Sequence, residues 1–271
     1  MARDLLGVTG ASGALGRLVV RRLLELVPAG RIVAVVRNEG KVRDLAERGV
    51  QVRPGDYDDP DGLRRAFDGI GRLLMISSPD LDTDRRTGQH RHAAEAAAGA
   101  GADLIAYTSF LGADTQQEGP NAAHHATERA IRESGRPYTF LRNPFYTDAF
   151  IHPGLRQAVG AGELTSGTGG RALNTASRRD LAAAAAEVLT GDGHEGRAYD
   201  LTGPLWTYPE LAAALEARFR TPVSYREQPP PGPMAFLHAL ARGGALERQT
   251  GDLRRLLGRP PATLEETVAG I

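Results

Sequence analysis

Short apolar runs alternate with segments of helical periodicity from the N-terminus to about residue 145, and this alternation constrains the fold most strongly. Some of the runs are almost unbroken in apolar character, as in strands that helices cover on both faces. The runs span residues 5–9, 32–36, 50–53, 72–76, 104–108 and 138–141, and the helix candidates between them span 15–27, 41–48, 60–67, 84–98 and 122–134. Such alternation is typical of a parallel sheet with crossover helices. We therefore predict a Rossmann-type, doubly wound α/β fold.

The pattern changes after residue 145. A glycine-rich stretch at 160–170 and a proline-rich stretch at 229–233 separate shorter helix candidates. These candidates span residues 179–189, 209–218, 234–240 and 264–268. We predict a dinucleotide-binding domain at 1–145 and a smaller, mainly helical substrate-binding lobe at 146–271. Part of the second half is expected to return to the sheet.

Composition argues against several classes of function. The 33 basic and 33 acidic residues cancel, so the chain has no net charge that would attract a nucleic acid. The absence of cysteine removes thiol nucleophiles, thiolate metal sites and disulfides, so redox chemistry needs a bound cofactor. No apolar run approaches the ~20 residues of a membrane-spanning helix, and no signal-peptide pattern occurs. We expect a cytoplasmic protein without a membrane segment or a metal site.

A glycine-rich turn follows the first apolar run and opens an amphipathic helix. Gly10, Gly13 and Gly16 have the spacing G-x-x-G-x-x-G, which differs by one residue from the G-x-G-x-x-G fingerprint of dehydrogenases. We expect Gly10 to adopt a conformation closed to other residues, Gly13 to let the backbone approach a pyrophosphate, and Gly16 to let the helix pack closely. The amides that begin the helix then face the phosphates. The predicted cofactor-binding segment is Thr9, Gly10, Ala11, Ser12, Gly13, Ala14, Leu15 and Gly16.

The end of the second apolar run distinguishes NADP from NAD. NAD-binding proteins usually place an Asp or Glu here against the ribose hydroxyls, whereas this chain has Arg37 and Asn38. A guanidinium at this position matches a 2′-phosphate, and one charge-assisted hydrogen bond favours NADPH over NADH about ten-fold or more. Arg17 and Lys41 are further candidates for this phosphate, with solvated surface cations as the alternative.

Several further segments together carry a family resemblance. They are Val36-Arg37-Asn38, Gly55-Asp56-Tyr57, Leu73 to Ser78, Gln89-His90-Arg91, Ala106-Tyr107-Thr108-Ser109, Ala113-Asp114-Thr115, Leu141-Arg142-Asn143, Gly193-His194-Glu195-Gly196 and Leu257-Gly258-Arg259-Pro260. With these and the glycine turn, the chain resembles the atypical short-chain dehydrogenase/reductases of the NmrA-like type, nearly from end to end. Within them it is most similar to the NADPH-dependent quinone oxidoreductase 2 group. The resemblance implies NADP(H) as the cofactor.

The resemblance also implies cofactor contacts at the carboxyl ends of the predicted strands, where ligands of open α/β sheets bind. The implied residues are Asp56 and Tyr57 beside the adenine, Ser77 and Ser78 along the ribose and pyrophosphate, Thr108, and Asn143, Pro144, Phe145 and Tyr146 over the nicotinamide. For Tyr57 and Phe145, packing in the core is the alternative.

Typical short-chain reductases transfer a proton with residues that this chain lacks. They combine a Ser with Tyr-x-x-x-Lys on the next helix, where the Lys lowers the pKa of the Tyr. Ser109 has the serine position, but residues 121–129 of the next helix read Asn-Ala-Ala-His-His-Ala-Thr-Glu-Arg. His124 or His125 could donate a proton, since an imidazole titrates near neutrality, or both could be surface residues. The predicted catalytic residues are Ser109, His124 and His125.

The missing Tyr-Lys pair bears on the substrate. Loss of a positioned acid costs about 10²–10⁴ in rate. A quinone, however, accepts a hydride to give a delocalised phenolate, so its reduction needs positioning more than protonation. We therefore expect a reductase that transfers a hydride from NADPH to a quinone or conjugated carbonyl compound. Two alternatives stay open, a ketoreductase of a polycyclic metabolite and a redox sensor that binds NADP without turnover. The expected partner is a small electrophile, and the chain is a monomer or a homodimer.

Overall fold

The computed structural model describes residues 4–115 and 119–271. The strands of this part of the chain are β1 (Leu5–Thr9), β2 (Ile32–Val36), β3 (Gln51–Pro54), β4 (Ile70–Met75), β5 (Leu104–Phe110), β6 (Tyr138–Asn143), β7 (Phe145–Tyr146), β8 (Glu163–Ser166), β9 (Leu173–Ala176), β10 (Arg197–Asp200), β11 (Leu205–Trp206) and β12 (Ser224–Glu227). Its α-helices are α1 (Ala14–Leu26), α2 (Arg43–Glu47), α3 (Pro60–Ala66), α4 (Thr83–Gly99), α5 (Ala122–Glu133), α6 (Arg156–Ala161), α7 (Arg178–Thr190), α8 (Tyr208–Phe219), α9 (Pro233–Arg242), α10 (Asp252–Leu257) and α11 (Leu264–Ala269).

Seven of these strands form one parallel sheet in the order β10-β6-β5-β4-β1-β2-β3. The order reverses between β1 and β4, because the chain first builds outward through β2 and β3 and then returns to the other side of β1. In open α/β sheets, ligands bind beyond the carboxyl ends of the strands at such a reversal. The predicted fold class, a Rossmann-type doubly wound sheet, is confirmed.

One face of this sheet packs on a core that includes α4. Its strands contribute alternate residues such as Val33, Leu73 and Ile105, all fully buried. Helix α4 contributes four buried alanines, Ala93, Ala94, Ala96 and Ala97. The small side chains allow the helix to lie close to the sheet, which places the polar residues in its first half directly against the strand ends.

The chain divides into two compact units. The first ends at Asn143 and also includes Leu181–Asp200, and the second comprises Pro144–Asp180 and Leu201–Ile271. This division begins the second unit two residues earlier than the predicted boundary. The part of the chain that returns to the sheet is Leu181–Asp200, whose strand β10 pairs with β6. That edge strand was not predicted, because Arg197-Ala-Tyr-Asp has no apolar run.

The second unit contains strands as well as helices. A three-stranded sheet has the order β11-β9-β7, and β12 pairs with β8. The predicted description as mainly helical missed these small sheets, because strands of two to four residues leave too short a pattern in the sequence. The core of this unit includes Phe150, Trp206 and Tyr208, and the Trp206 indole donates to Thr175 Oγ1 at 2.8 Å. No helix in the described residues is long and apolar enough to cross a membrane.

Candidate cofactor and active site

The glycine turn between β1 and α1 depends on its glycines for one positive φ angle and for close backbone contacts. Gly10 has a φ of 57°, which favours glycine, and its carbonyl accepts the N–H of Gly13 at 2.9 Å. A Cβ on Gly16 would lie 2.4 Å from Gly10 O and 2.9 Å from the Cα of Ala11. A Cβ on Gly13 would lie 3.2 Å from the same oxygen. Gly16 is therefore required by the turn itself, a sharper reason than the predicted packing of helix on sheet.

Helix α1 begins at Ala14, and no side chain of residues 4–115 and 119–271 caps its first backbone amides. Gly13, which precedes it, has no side chain to accept a hydrogen bond, and the first turn contains no acidic residue. These N–H groups and the positive end of the helix dipole suit an anion such as a pyrophosphate. Gly13 and Ala14 are exposed and Ser12 is half-buried, whereas Ala11 and Leu15 are buried. The predicted segment thus has exposed residues at the start of the helix and buried residues on either side of them.

Thr9 and Tyr57 join the strand ends beneath this turn. Their hydroxyl oxygens lie 2.6 Å apart, Tyr57 donates to the carbonyl of Ile76 at 2.7 Å, and the Ile76 amide donates to Thr9 Oγ1 at 2.8 Å. Burial raises the pKa of Tyr57, so its phenol stays neutral. Its hydroxyl therefore ties together the ends of the strands at the reversal point.

A cavity of about 390 Å³ lies beyond the ends of β2 and β3. Its lining includes Arg37, Asp56 and Gly55. Arg37 is exposed, as a ligand for a phosphate must be. Asn38 has a local role, since its side-chain oxygen accepts the amide of Gly40 at 2.9 Å and starts a 3₁₀ turn where the sequence predicted helix.

Arg17, one of the two other cations near this position, differs from Arg37. Arg17 is ion-paired to both carboxylate oxygens of Asp44, at 2.9 and 2.7 Å, and also donates to the carbonyl of Lys41. The hydrogen bond from Arg17 holds the pKa of Asp44 below its usual range. Of the three predicted candidates for a 2′-phosphate, Arg37 is thus the one that faces a cavity, whereas Arg17 already has an anionic partner.

The loop after β4 is tied to its neighbours through backbone amides. The amide of Ser77 donates to Thr108 Oγ1 at 2.8 Å, and the amide of Ser78 donates to His90 Nε2 at 2.8 Å. Ser78 Oγ also donates to Gln89 Oε1 at 2.5 Å. Thr108 therefore positions the loop that carries Ser77, and α4 positions Ser78.

A buried polar cluster links this loop to α5. His90 Nδ1 lies 2.9 Å from Thr127 Oγ1 and 3.3 Å from the hydroxyl of Tyr107, which in turn lies 2.8 Å from His124 Nδ1. Burial raises the pKa of Tyr107, whose side chain is fully buried in the sheet. The role of His90 was not predicted from the sequence. Its spacing from Arg86 and from the buried alanines of α4 was the available signal, because it puts these residues on one helix face.

His124 is a neutral imidazole with both nitrogens engaged. Arg86 Nη2 lies 2.8 Å from His124 Nε2, and because a guanidinium has no acceptor, Nε2 must accept and Nδ1 carries the proton. Burial, with the nearby charge of Arg86, lowers the pKa of His124 to about 2 and that of His90 to about 3. His125 is half-buried and its Nδ1 lies 2.8 Å from the carbonyl of Ala113. Only one face of α5 thus enters the cluster.

Ser109 belongs to a separate, charged cluster. Its hydroxyl donates to Glu128 Oε1 at 2.7 Å, and it is 2% exposed. Arg142 donates to both oxygens of Glu128, at 2.8 and 2.7 Å, and reaches Asp114 at 2.9 Å and Asp200 at 3.6 Å. Burial alone would lower the pKa of Arg142, but bonding to Glu128 and the charges of Asp114 and Asp200 raise it. Ser109 therefore hydrogen-bonds to a structural ion pair.

The four residues predicted to close over the nicotinamide fall on both sides of the division. Asn143 is the buried last residue of β6, whereas Pro144 begins the second unit. Phe145 contacts Phe150 edge to face at 6.5 Å, and the Arg178 guanidinium lies 4.5 Å from the centre of the Tyr146 ring. Within the described residues, no group of three or more His, Asp or Glu side chains is arranged to hold a metal ion.

Comparison with known proteins identifies the family. Residues 10–192 match the family of NAD(P)H-binding proteins. The chain belongs to this NAD(P)H-binding family. It is an atypical short-chain dehydrogenase/reductase of the NmrA-like type, as predicted, and an oxidoreductase. The glycine turn fits the dinucleotide, because the residues that begin α1, Gly13 and Ala14, are exposed and their amides suit a pyrophosphate.

Similar proteins align over almost the whole chain. Quinone oxidoreductase 2 of Escherichia coli (strain K12) is 36% identical over 282 residues, 98% of each chain. Its crystal structure complexed with NADPH has a TM-score of 0.90, with 37% identity over 98% of this chain and 99% of that one. The Citrobacter sp. triphenylmethane reductase complexed with NADP(H) has a TM-score of 0.93, with 38% identity over 97% of this chain and 98% of that one. The prediction of an NADP-type cofactor is confirmed at the level of NAD(P)H binding.

Proposed function

We propose that this chain uses NADPH to reduce a quinone or another conjugated carbonyl compound. The observation that carries the proposal is the state of His124, which lies on the helix where typical short-chain reductases carry their Tyr. It is neutral, and its Nε2 accepts a hydrogen bond from Arg86. A site with this histidine offers no ready proton, and a substrate whose reduction needs positioning more than protonation suits it best.

The choice of NADPH rests on Arg37. This exposed guanidinium lines the cavity beyond β2, where NAD-binding proteins carry an acidic residue. The amides at the start of α1 would hold the pyrophosphate, and Arg37 would bind the 2′-phosphate. When bound, NADPH supplies the hydride. Quinone oxidoreductase 2, a relative of this chain, has been crystallised with NADPH.

Most of the remaining predicted site residues would contact the bound cofactor or support the residues that do. Asp56 would border the adenine from the lining of the cavity, and Tyr57 and Thr9 hold the strand ends beneath it. Ser77, Ser78 and Thr108 shape the loop beside the ribose. Asn143, Pro144, Phe145 and Tyr146 are proposed to border the nicotinamide. Ser109 is proposed to have no part in catalysis, because its hydroxyl donates a hydrogen bond to Glu128 in the ion-pair cluster.

His125 is the remaining candidate for a proton donor in this part of α5. Its Nδ1–H donates to the carbonyl of Ala113, because a carbonyl oxygen only accepts, and its Nε2 takes no part in this hydrogen bond. If the chain is instead a ketoreductase, whose alkoxide product requires a proton, His125→Ala should lower turnover of ketones. Turnover of quinones should be unchanged by the same variant. The oligomeric state, monomer or homodimer, and a cytoplasmic location stay predictions.

The proposal is tested by following NADPH absorbance with a panel of benzoquinones, naphthoquinones and polycyclic aromatic ketones. We expect turnover with quinones and little or none with the ketones. The control is Gly16→Val, which should abolish NADPH binding and turnover together, because its side chain would overlap the turn. NADPH binding without oxidation by any compound in the panel would contradict the proposal and favour a sensor.

A further inference from the structure

Arg86 differs from the arginines of the first unit that are paired with carboxylates. Arg17 is paired with Asp44, and Arg142 with Glu128. The neighbouring Arg85 reaches Asp58 at 2.8 Å and Asp80 at 3.3 Å. Arg86 donates to the neutral His124, and its Nε is buried without a hydrogen-bond partner in residues 4–115 and 119–271. Its positive charge is thus not balanced by a carboxylate of the described chain.

An unbalanced guanidinium in a partly buried position is costly for a folded protein. Charged groups that lose water are normally paired, because the protein must replace the lost solvation. Arg86 is partly exposed, and its Nη2 and Nε are directed into the protein. The remaining nitrogen, Nη1, is therefore the one available to an external group. An anion there would supply the missing partner.

Arg86 lies where a residue could bind a ligand of the protein. Seven residues separate the end of β4 from the start of α4, and α5, which carries His124, follows β5. The His124 ring lies 5.9 Å from the ring of Phe110, the last residue of β5. One helical turn beyond Arg86, His90 holds the amide of Ser78. Arg86 thus lies at the carboxyl edge of the sheet, where ligands of such folds bind.

We propose that Arg86 binds the substrate oxygen that becomes negatively charged during reduction, and that it selects neutral carbonyl electrophiles over cationic ones. This inference rests on the proposed function. His124 is a positioning residue in this scheme, because its Nε2 holds the guanidinium and its Nδ1–H is held by Tyr107. The arrangement replaces the acid of typical short-chain reductases with a fixed positive charge.

Quinones and cationic dyes differ in how their charge changes when they accept a hydride. A quinone gains a hydride, that is two electrons and one proton, from NADPH, and one of its oxygens carries a negative charge until water protonates it. A cationic triphenylmethane dye gains the same hydride at its central carbon and becomes neutral. A guanidinium stabilises the first product and repels the second substrate. Removal of one group that stabilises an oxyanion typically costs about 10²–10³ in kcat.

The activity test compares Arg86→Met with Arg85→Met, which removes the same charge one residue away from an arginine that already has partners. We expect Arg86→Met to lower kcat for a naphthoquinone about 10²–10³-fold, with NADPH affinity unchanged and turnover of a cationic triphenylmethane dye unchanged or increased. Added guanidinium chloride should restore part of the quinone turnover. Arg85→Met should behave as the unaltered protein. Equal losses for quinone and dye, or no loss for either, would overturn the proposal.

A binding test decides the matter without turnover. The probe is 4-nitrophenolate, whose absorbance reports its ionised state, and the matched neutral probe is 4-nitroanisole. With the NADP⁺-loaded protein, Arg86→Met should weaken nitrophenolate binding about ten-fold or more and leave nitroanisole binding unchanged. Equal binding of nitrophenolate by the variant and the unaltered protein would refute the role of Arg86. The binding of nitrophenolate can be measured even if no quinone is reduced. Failure of the proposed function can therefore be distinguished from failure of the proposed role of Arg86.

Discussion

Two polar regions meet the same face of α5 one helical turn apart, and they balance their charges differently. Around Glu128, the guanidinium of Arg142 faces three carboxylates, and Arg132 adds a second cation at 3.1 Å. Around His124, the charge of Arg86 faces a neutral imidazole and a neutral phenol. Both regions lie on the helix where typical short-chain reductases carry their Tyr-x-x-x-Lys pair.

The difference separates residues that hold the fold from residues that are available to a ligand. A buried charge with a complete set of partners adds little net stability. Removal of one partner, however, leaves the other charge uncompensated and destabilises the fold. A charge without a carboxylate partner is instead free to bind a substrate. The same contrast recurs at the cofactor end, where Arg17 is paired with Asp44 and Arg37 is exposed to a cavity.

The largest expected effect comes from breaking the balanced region. Arg142→Met leaves Glu128, which is 1% exposed, without its main cation. We expect a loss of about 3–5 kcal/mol in the free energy of unfolding, measured by urea denaturation. Arg132→Met, which removes a partly exposed cation from the same carboxylate, should cost less than about 1 kcal/mol. Equal effects of the two variants would show that burial does not distinguish the two arginines.

Acid should destabilise the neutral region before it affects the balanced one. The folded protein keeps the pKa values of His90 and His124 at about 3 and about 2, whereas the unfolded chain takes up protons near 6.5. Stability is therefore complete above pH 6.5 and is lost as the pH falls below it, by about 2 kcal/mol for the pair between pH 6.5 and 5.5. His90→Gln should halve this slope in urea denaturation, and the exposed His152→Gln should leave it unchanged. A flat profile in this window would refute the neutral assignment.

At the cofactor end, removal of the exposed cation Arg37 should discriminate between cofactors. Arg37→Gln is expected to weaken NADPH binding about ten-fold or more and to leave NADH binding unchanged, because only NADPH carries the 2′-phosphate. Isothermal titration with both dinucleotides measures this. An equal change for both would remove Arg37 from the 2′-phosphate site.

The smallest effect is expected from converting a paired cation into an unpaired one. Asp44→Asn frees Arg17 beside the start of α1. NADPH binding should strengthen by less than about five-fold, because exposed charges are screened by solvent and salt. The gain should disappear at high salt. A large loss of affinity would mean that Arg17 depends on Asp44 for its position and that pairing does not remove it from the site.

The sheet and its glycine turn could be predicted because their signals are local. The apolar runs at 32–36 and 104–108 reappear as β2 and β5, and the spacing of Gly10, Gly13 and Gly16 describes a turn that these residues form among themselves. Strand β10 and the short strands of the second unit could not be predicted, since their residues acquire strand structure only by pairing with distant segments.

The polar site could be predicted in its positions but not in its roles. Ser109 and His124 were identified as candidates from their places in the chain, yet their chemistry depends on partners far away. Glu128 lies 19 residues from Ser109, and Arg86 lies 38 residues from His124. Which proton an imidazole carries is decided by such partners, and no spacing in the sequence specifies them.

By itself, the sequence determined the cofactor-binding fold and the loss of the Tyr-Lys pair, because strand pattern, glycine spacing and residue type are properties of neighbouring residues. The tertiary structure decided which charges are balanced and which are left for a ligand. It did so by packing α4 and α5 against the strand ends, where Arg86 meets a neutral histidine and Glu128 meets an arginine. Burial then sets the cost of each charge, and that cost depends on the whole fold.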